Sequence, residues 1–138
     1  MSQNGSLSSD KDERKNSPIA EGVLWYFPNA LAEVARVSKV GNDQHNAGLP
    51  LHHARDKSKD HADCILRHLI DAGQIDKDGQ RHSAKVAWRA LALLQEELER
   101  AYGLPLPRNA RNATVTPAPP LNPEVEALLG RAEALEAE

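Results

Sequence analysis

Apolar residues recur at helical spacing in three stretches of this chain, and between the stretches the pattern breaks. In the first, Leu31, Val34, Ala35 and Ser38 share one side of a segment that opens after Pro28. Asn29 is suited to cap it and Gly41 to end it, so a helix is predicted from Asn29 to Val40, with Glu33 flanking the apolar face. In the second, Ala62, Ile65, Leu66, Leu69 and Ile70 form a stripe. It predicts a helix that begins near Ser58 as N-cap and stops at Gly73. In the third, Ala84, Ala87, Trp88, Leu91, Leu94, Leu98 and Ala101 predict a long helix from His82 to Tyr102, ended by Gly103. Small residues at Ala84, Ala87 and Ala90 permit close packing. The predicted fold is all-α: a small bundle of three core helices.

The segments outside these helices carry other signals. Met1–Ser17 is almost free of apolar side chains and is expected to be a disordered tail. Gly22–Pro28 concentrates Trp25, Tyr26 and Phe27, which predicts an extended segment clamping the helices with aromatic area, or else a base-stacking platform. Asn42–Lys57 has no periodicity and is expected as loop, and Gly73–Arg81 as a turn built on Asp76, Asp78 and Gly79. The domain therefore spans 18–103. Residues 104–121 hold Pro105, Pro107, Pro117, Pro119 and Pro120 and predict a semi-rigid linker, mobile over Ala110–Pro120. Residues 122–138 follow as a C-terminal amphipathic helix, with Val125, Leu128, Leu129, Ala132 and Leu135 on one face.

Composition narrows the classes. Formal net charge is -3, and Trp25–Ala101 carries as many basic as acidic side chains, so no specific nucleic acid partner is expected. The single Cys forms no internal disulfide and fits a reducing cytoplasm. No apolar run approaches the ~20 residues of a membrane span, and the first residues lack the apolar core of a secretion signal. With 40% hydrophobic and only 4% aromatic residues, the core is expected to be modest.

Candidate chemistry concentrates between Gly41 and Lys85, which holds all 6 histidines. Imidazoles and carboxylates bind divalent metals and move protons near neutral pH. His61, Cys64, His68 and Asp71 fall on one side of the second helix, beside its apolar stripe. A short turn joins the second and third helices, so they should be antiparallel, bringing His68 and Asp71 near His82 and Lys85. Asp76-Lys77-Asp78-Gly79 is not an EF-hand, because Gln74 and Lys85 occupy the first and twelfth positions. It is either a plain Asp-Gly turn or a metal or phosphate site at a helix start. Arg67, Lys85 and Arg89 are candidates for phosphate contacts. Glu96 and Glu99 have metal-type spacing, but the surrounding QEELER reads as a solvated face. Cys64 reads as packing. Motifs for serine hydrolases, P-loop nucleotide binding, dinucleotide binding and zinc proteases are absent.

The runs FPNALAEVARVSKVGNDQHNAG and DHADCILRHLIDAGQIDKDGQRHSAKVAWRALALLQEELE resemble the phage-encoded dATP/dGTP diphosphohydrolase N-terminal domain family, over about Trp25–Arg100. The matching positions are Glu33, Gly41, His45-Asn46, Arg67-His68, Asp76, Gly79 and His82. The resemblance implies an all-α enzyme of MazG-like type. Such enzymes split a nucleoside triphosphate into monophosphate and pyrophosphate with Mg or Mn, usually as homo-oligomers. It further implies a metal held by Glu33, Asp76 and His82, with His68 as general base or orienting the attacking water. Phosphates would be held by Arg67, Lys85 and Arg89, with His45 and Asn46 also at the substrate. Lys85 departs from the family pattern, which has a second His there, and Arg36 replaces the closing Glu of a MazG-type E-x-x-E beginning at Glu33. The rival readings are a non-catalytic helical binding module of a phage and an adaptor that docks through its C-terminal helix. A phage protein of this kind would work in the host cytoplasm.

Overall fold

The computed structural model describes residues 7–111 and the positions 124, 127, 128, 130 and 131. Four helices dominate: α1 (Lys11–Lys15), α2 (Pro28–His45), α3 (His61–Ile70) and α4 (His82–Tyr102). Strands β1 (His53–Ala54) and β2 (Ala110–Arg111) form a two-residue parallel pair. The prediction of a helical fold therefore holds, and its details change in several places.

Helix α4 is the centre of the structure, with α3 packed along it and α2 packed beside it. Its ends are those the sequence predicts. Gly103 closes it with a left-handed backbone (φ 60) and donates its N–H to Glu99. Helices α3 and α4 form a hairpin tied by an antiparallel bridge between Ile75 and Arg81. In the turn, the Gly79 N–H reaches the Asp76 carbonyl at 2.9 Å. Gly79 takes φ 81, a conformation that glycine adopts without the Cβ penalty.

Helix α2 begins at Pro28 as its first residue rather than being capped by Asn29, and it runs through Gly41 to His45. A mid-helix glycine costs roughly 1 kcal/mol. Two contacts offset it here. Lys39 pairs with Asp43 one turn on at 2.7 Å, and the buried Asn42 donates its side-chain amide to the Leu49 carbonyl at 2.9 Å. The predicted aromatic clamp is not formed. Ala20–Leu24 is a π-helical turn, and Trp25, Tyr26 and Phe27 are exposed. Within the tail expected to be disordered, Lys11–Lys15 is a short exposed helix whose N-terminal amides of Asp12 and Glu13 are accepted by Asp10.

The buried apolar side chains among the described residues are small: Cys64, Ala84 and Ala92. They let α3 and α4 approach closely. The stripe of α3 is turned the other way: Ala62, Leu66, Leu69 and Ile70 are exposed, while His61 and Cys64 are buried. In an amphipathic helix the apolar side ordinarily meets the core; in this chain the polar side does.

Part of the segment assigned to the linker is structured. His53 donates its N–H to Asn109 at 2.7 Å and Arg55 to Arg111 at 2.9 Å, so the chain after α4 returns and holds down the loop before α3. Pro117, Pro119 and Pro120 lie outside the described residues, as do Val125, Leu129, Ala132 and Leu135 of the predicted terminal helix. The described positions 124, 127, 128, 130 and 131 are helical, and Leu128 is exposed.

Candidate functional site

A groove of about 1140 Å³ lies between α2, the loop before α3, and α4. Its basic and imidazole lining includes His45, His53, Arg55, Lys57, Lys85 and Arg89. Asp78 is the one carboxylate in that lining. Arg55 and Lys85 are paired with carboxylates, so it is Lys57 and Arg89 that give the lining a field favouring anions.

At one end of the groove the α3–α4 hairpin gathers a cluster. His68 sits in the last turn of α3, Asp76 and Asp78 in the turn, and His82 and Lys85 in the first turn of α4. Ligand atoms of His68, Asp76 and His82 all lie within 4.8 Å of one another. The His68 and His82 Nδ1 atoms are 2.9 Å apart, so one donates a proton and the other accepts it. Lys85 Nζ donates to Asp76 Oδ2 at 2.6 Å and to Asp78 Oδ2 at 2.8 Å. These contacts order the acidities. The hydrogen bond from Lys85, then the Lys77 amide, lowers Asp76 to about 2. Burial works against ionisation of Asp78, yet the Lys85 and Gln80 bonds leave its pKa lowered. Burial also opposes the charge on Lys85, and the two carboxylates outweigh it, so its pKa is raised. His68 is lowered by burial, then by the charges of Lys85 and His82, which favours a neutral ring.

A second polar cluster lies beside the groove. Arg55 Nη2 donates to Glu99 Oε2 at 2.7 Å, and Gln95 donates to the same oxygen at 2.9 Å. His61 Nε2 and Glu96 Oε2 are 2.6 Å apart, a contact off the hydrogen-bond line. Arg89 Nη1 donates to Ser58 at 2.6 Å and lies 3.1 Å from His61 Nδ1. Glu96 and Glu99 are therefore mostly buried rather than on a solvated face. Their three-residue spacing was the visible signal. Their partners were not visible, because Arg55 and His61 come from a distant segment. His53 stacks edge-on against Trp88 at 4.9 Å. Its pKa is lowered to about 4, first by burial and then by Arg55. Gln80, only 1% exposed, leaves both side-chain amide atoms without a protein partner.

Of the residues singled out from sequence, His68, Asp76, His82 and Lys85 come together. His45, Asn46 and Arg89 line the groove with Lys85. Glu33 is half-buried on α2, outside both the groove lining and the cluster. Arg67 is exposed and turned outward, 3.6 Å from Asp60 and bonded to Cys64 Sγ at 2.9 Å.

No helix among the described residues is long and apolar enough to cross a membrane. No curated protein and no solved structure matches the chain. A sequence profile described as dATP/dGTP diphosphohydrolase, N-terminal, matches residues 8–102. With most of its described length covered, from α1 to the end of α4, the chain belongs to the dATP/dGTP diphosphohydrolase N-terminal family, a family of nucleotide hydrolases.

Proposed function

We propose that this chain is a phage-encoded, metal-dependent nucleotide pyrophosphohydrolase. It acts in the host cytoplasm on a purine deoxynucleoside triphosphate, as a homo-oligomer, using Mg or Mn. The observation that carries the reading is the cluster of His68, Asp76 and His82 at the end of a basic groove. Two imidazole nitrogens and a carboxylate oxygen are a donor set for a divalent transition ion, Mn among them and Zn or Fe more readily, and fit Mg least because it prefers oxygen ligands. Those three residues would hold the ion, and Glu33 would need to move to join them. When bound, the ion would neutralise phosphate charge and lower the pKa of a coordinated water.

The chain's own residues do the rest. Lys57, Arg89 and His45 line the groove as donors for the polyphosphate, with Asn46 beside them. Arg89 is anchored by Ser58 and stays in place as a fixed charge. The ring of His68, favoured in its neutral form by burial and by Lys85, is in the state that binds a metal. Water adds at the α-phosphorus and gives up its proton to solvent, the α–β phosphoanhydride bond breaks, and pyrophosphate leaves.

A non-catalytic nucleotide-binding module is the second reading. It is favoured by Lys85, whose ammonium already satisfies both turn carboxylates. A panel of deoxynucleoside triphosphates with Mg or Mn, assayed for pyrophosphate, separates the two. The enzyme reading expects release from dATP or dGTP, and a loss of ~100-fold or more in Asp76→Asn, a larger effect than removal of a ligand's supporting partner. Nucleotide binding without pyrophosphate release moves the chain to the second reading.

A further inference from the structure

Lys85 occupies an unusual place. Its ammonium lies on Asp76 Oδ2, the same oxygen that approaches His82 Nδ1 at 4.0 Å. It also holds Asp78, so one amine satisfies both carboxylates of the turn. All three side chains are about four-fifths buried, and little water competes for them. A divalent ion bound through Asp76 needs bonds of about 2.0–2.2 Å to that carboxylate. An ammonium at 2.6 Å from the same oxygen takes one of its lone pairs and sets a positive charge beside the place the ion would occupy. Two cations this close also repel each other strongly at reduced dielectric.

We infer that Lys85 is a tethered competitor for the divalent ion. The chain carries its own cation in the carboxylate half of the site, and a metal enters only by displacing it. This rests on the metal-dependent reading above and deepens it, by naming the residue that sets how tightly the site takes its ion. The imidazole half must give up the hydrogen bond between His68 and His82 to the ion, and the carboxylate half is rationed by a side chain from the first turn of α4.

The test is a Mn titration of the full chain by calorimetry, comparing the native protein with Lys85→Gln, Lys85→Arg and the double variant Lys85→Gln/Asp76→Asn. Removing the competitor should tighten Mn binding by about tenfold or more, equivalent to about 1.4 kcal/mol. Lys85→Arg keeps the charge and should bind no tighter than the native chain. The double variant should lose the gain, which places it at Asp76. Melting without metal reports on the fold, since Lys85→Gln leaves two carboxylates facing each other, and added Mn should raise its melting temperature more than that of the native chain. In the native chain, a Cd titration followed by nitrogen NMR should shift the Lys85 ammonium and the His68 and His82 rings at one midpoint. Native binding that Lys85→Gln leaves unchanged or weakens, or a Lys85 signal unmoved by Cd, overturns the competitor while the metal site stands. No binding in either the native chain or Lys85→Gln overturns the metal-dependent reading itself.

Discussion

His53 stands where four charged or ionisable neighbours meet, Arg55, Glu96, His61 and Arg89, with Trp88 against its ring. Burial, with Arg55 next, lowers its pKa from 6.5 to about 4. The folded chain therefore prefers the neutral ring, whereas the unfolded chain protonates near 6.5. Its contribution to stability is fully present above 6.5 and is lost as the pH falls toward 4, because the unfolded state then binds the extra proton. Thermal melts between pH 7 and 4 should show a falling melting temperature. His53→Gln should make that fall shallower without abolishing it, since His68 is lowered in the same sense. A profile unchanged by the substitution would assign the acid sensitivity elsewhere. At this scale the sequence was informative where partners are near along the chain. His68, Asp76, His82 and Lys85 could be grouped because one turn joins their helices. Glu96 and Glu99 could not, because Arg55 lies 44 positions before Glu99 and only the fold brings it there.

Among the elements, α3 is the one whose orientation periodicity left open. Periodicity located the helix and its stripe, but periodicity alone does not say which side meets the chain's own core. Here Leu66 is 61% and Ile70 83% exposed, while His61 is 4% exposed. The proposed homo-oligomer gives this face a natural cover, supplied by the same face or another of a second copy. Burying a large aliphatic side chain is worth about 1.5–3 kcal/mol. Leu66→Glu together with Ile70→Glu should thus weaken self-association by ~100-fold or more. Light scattering behind size exclusion should show smaller species at matched concentration, with helical content retained. The native chain running as a monomer at high concentration would remove the homo-oligomer from the proposal. Helix α4, by contrast, was legible at both ends, because a glycine in the left-handed region stops a helix whatever surrounds it. Helix α2 overran Gly41 because its stop was outweighed by Asn42 and by the Lys39–Asp43 pair, contacts made after the glycine.

For the whole molecule, the unforeseen feature is the pairing of β1 with β2. A strand pair formed between a predicted loop and a predicted linker leaves no periodic signal at two residues' length. It nevertheless ties the end of the described core to the loop that carries His53 and Arg55. Ending the chain after Gly103 removes the carbonyls of Asn109 and Arg111 that accept from those two residues. Two such hydrogen bonds contribute about 1 kcal/mol each. The truncated chain should melt several degrees lower, and the amides of His53 and Arg55 should exchange with deuterium much faster. Unaltered protection at both amides would mean that the loop is held by α4 alone.

The hairpin of α3 and α4 has a consequence for the order in which the molecule is built. The five side chains of the cluster, from His68 to Lys85, come from one continuous stretch. Closing a short loop costs little chain entropy, and contacts between near neighbours form early. The cluster can therefore assemble as soon as the two helices meet and the bridge of Ile75 with Arg81 closes, before α2 or the returning strand is in place. The groove needs all of those later pieces. Charge chemistry and ligand shape are thus separable in this chain. Substitutions on α2 or in the loop before α3 should reshape what the groove accepts while leaving in place the bonds among His68, Asp76, Asp78, His82 and Lys85, all made within the hairpin.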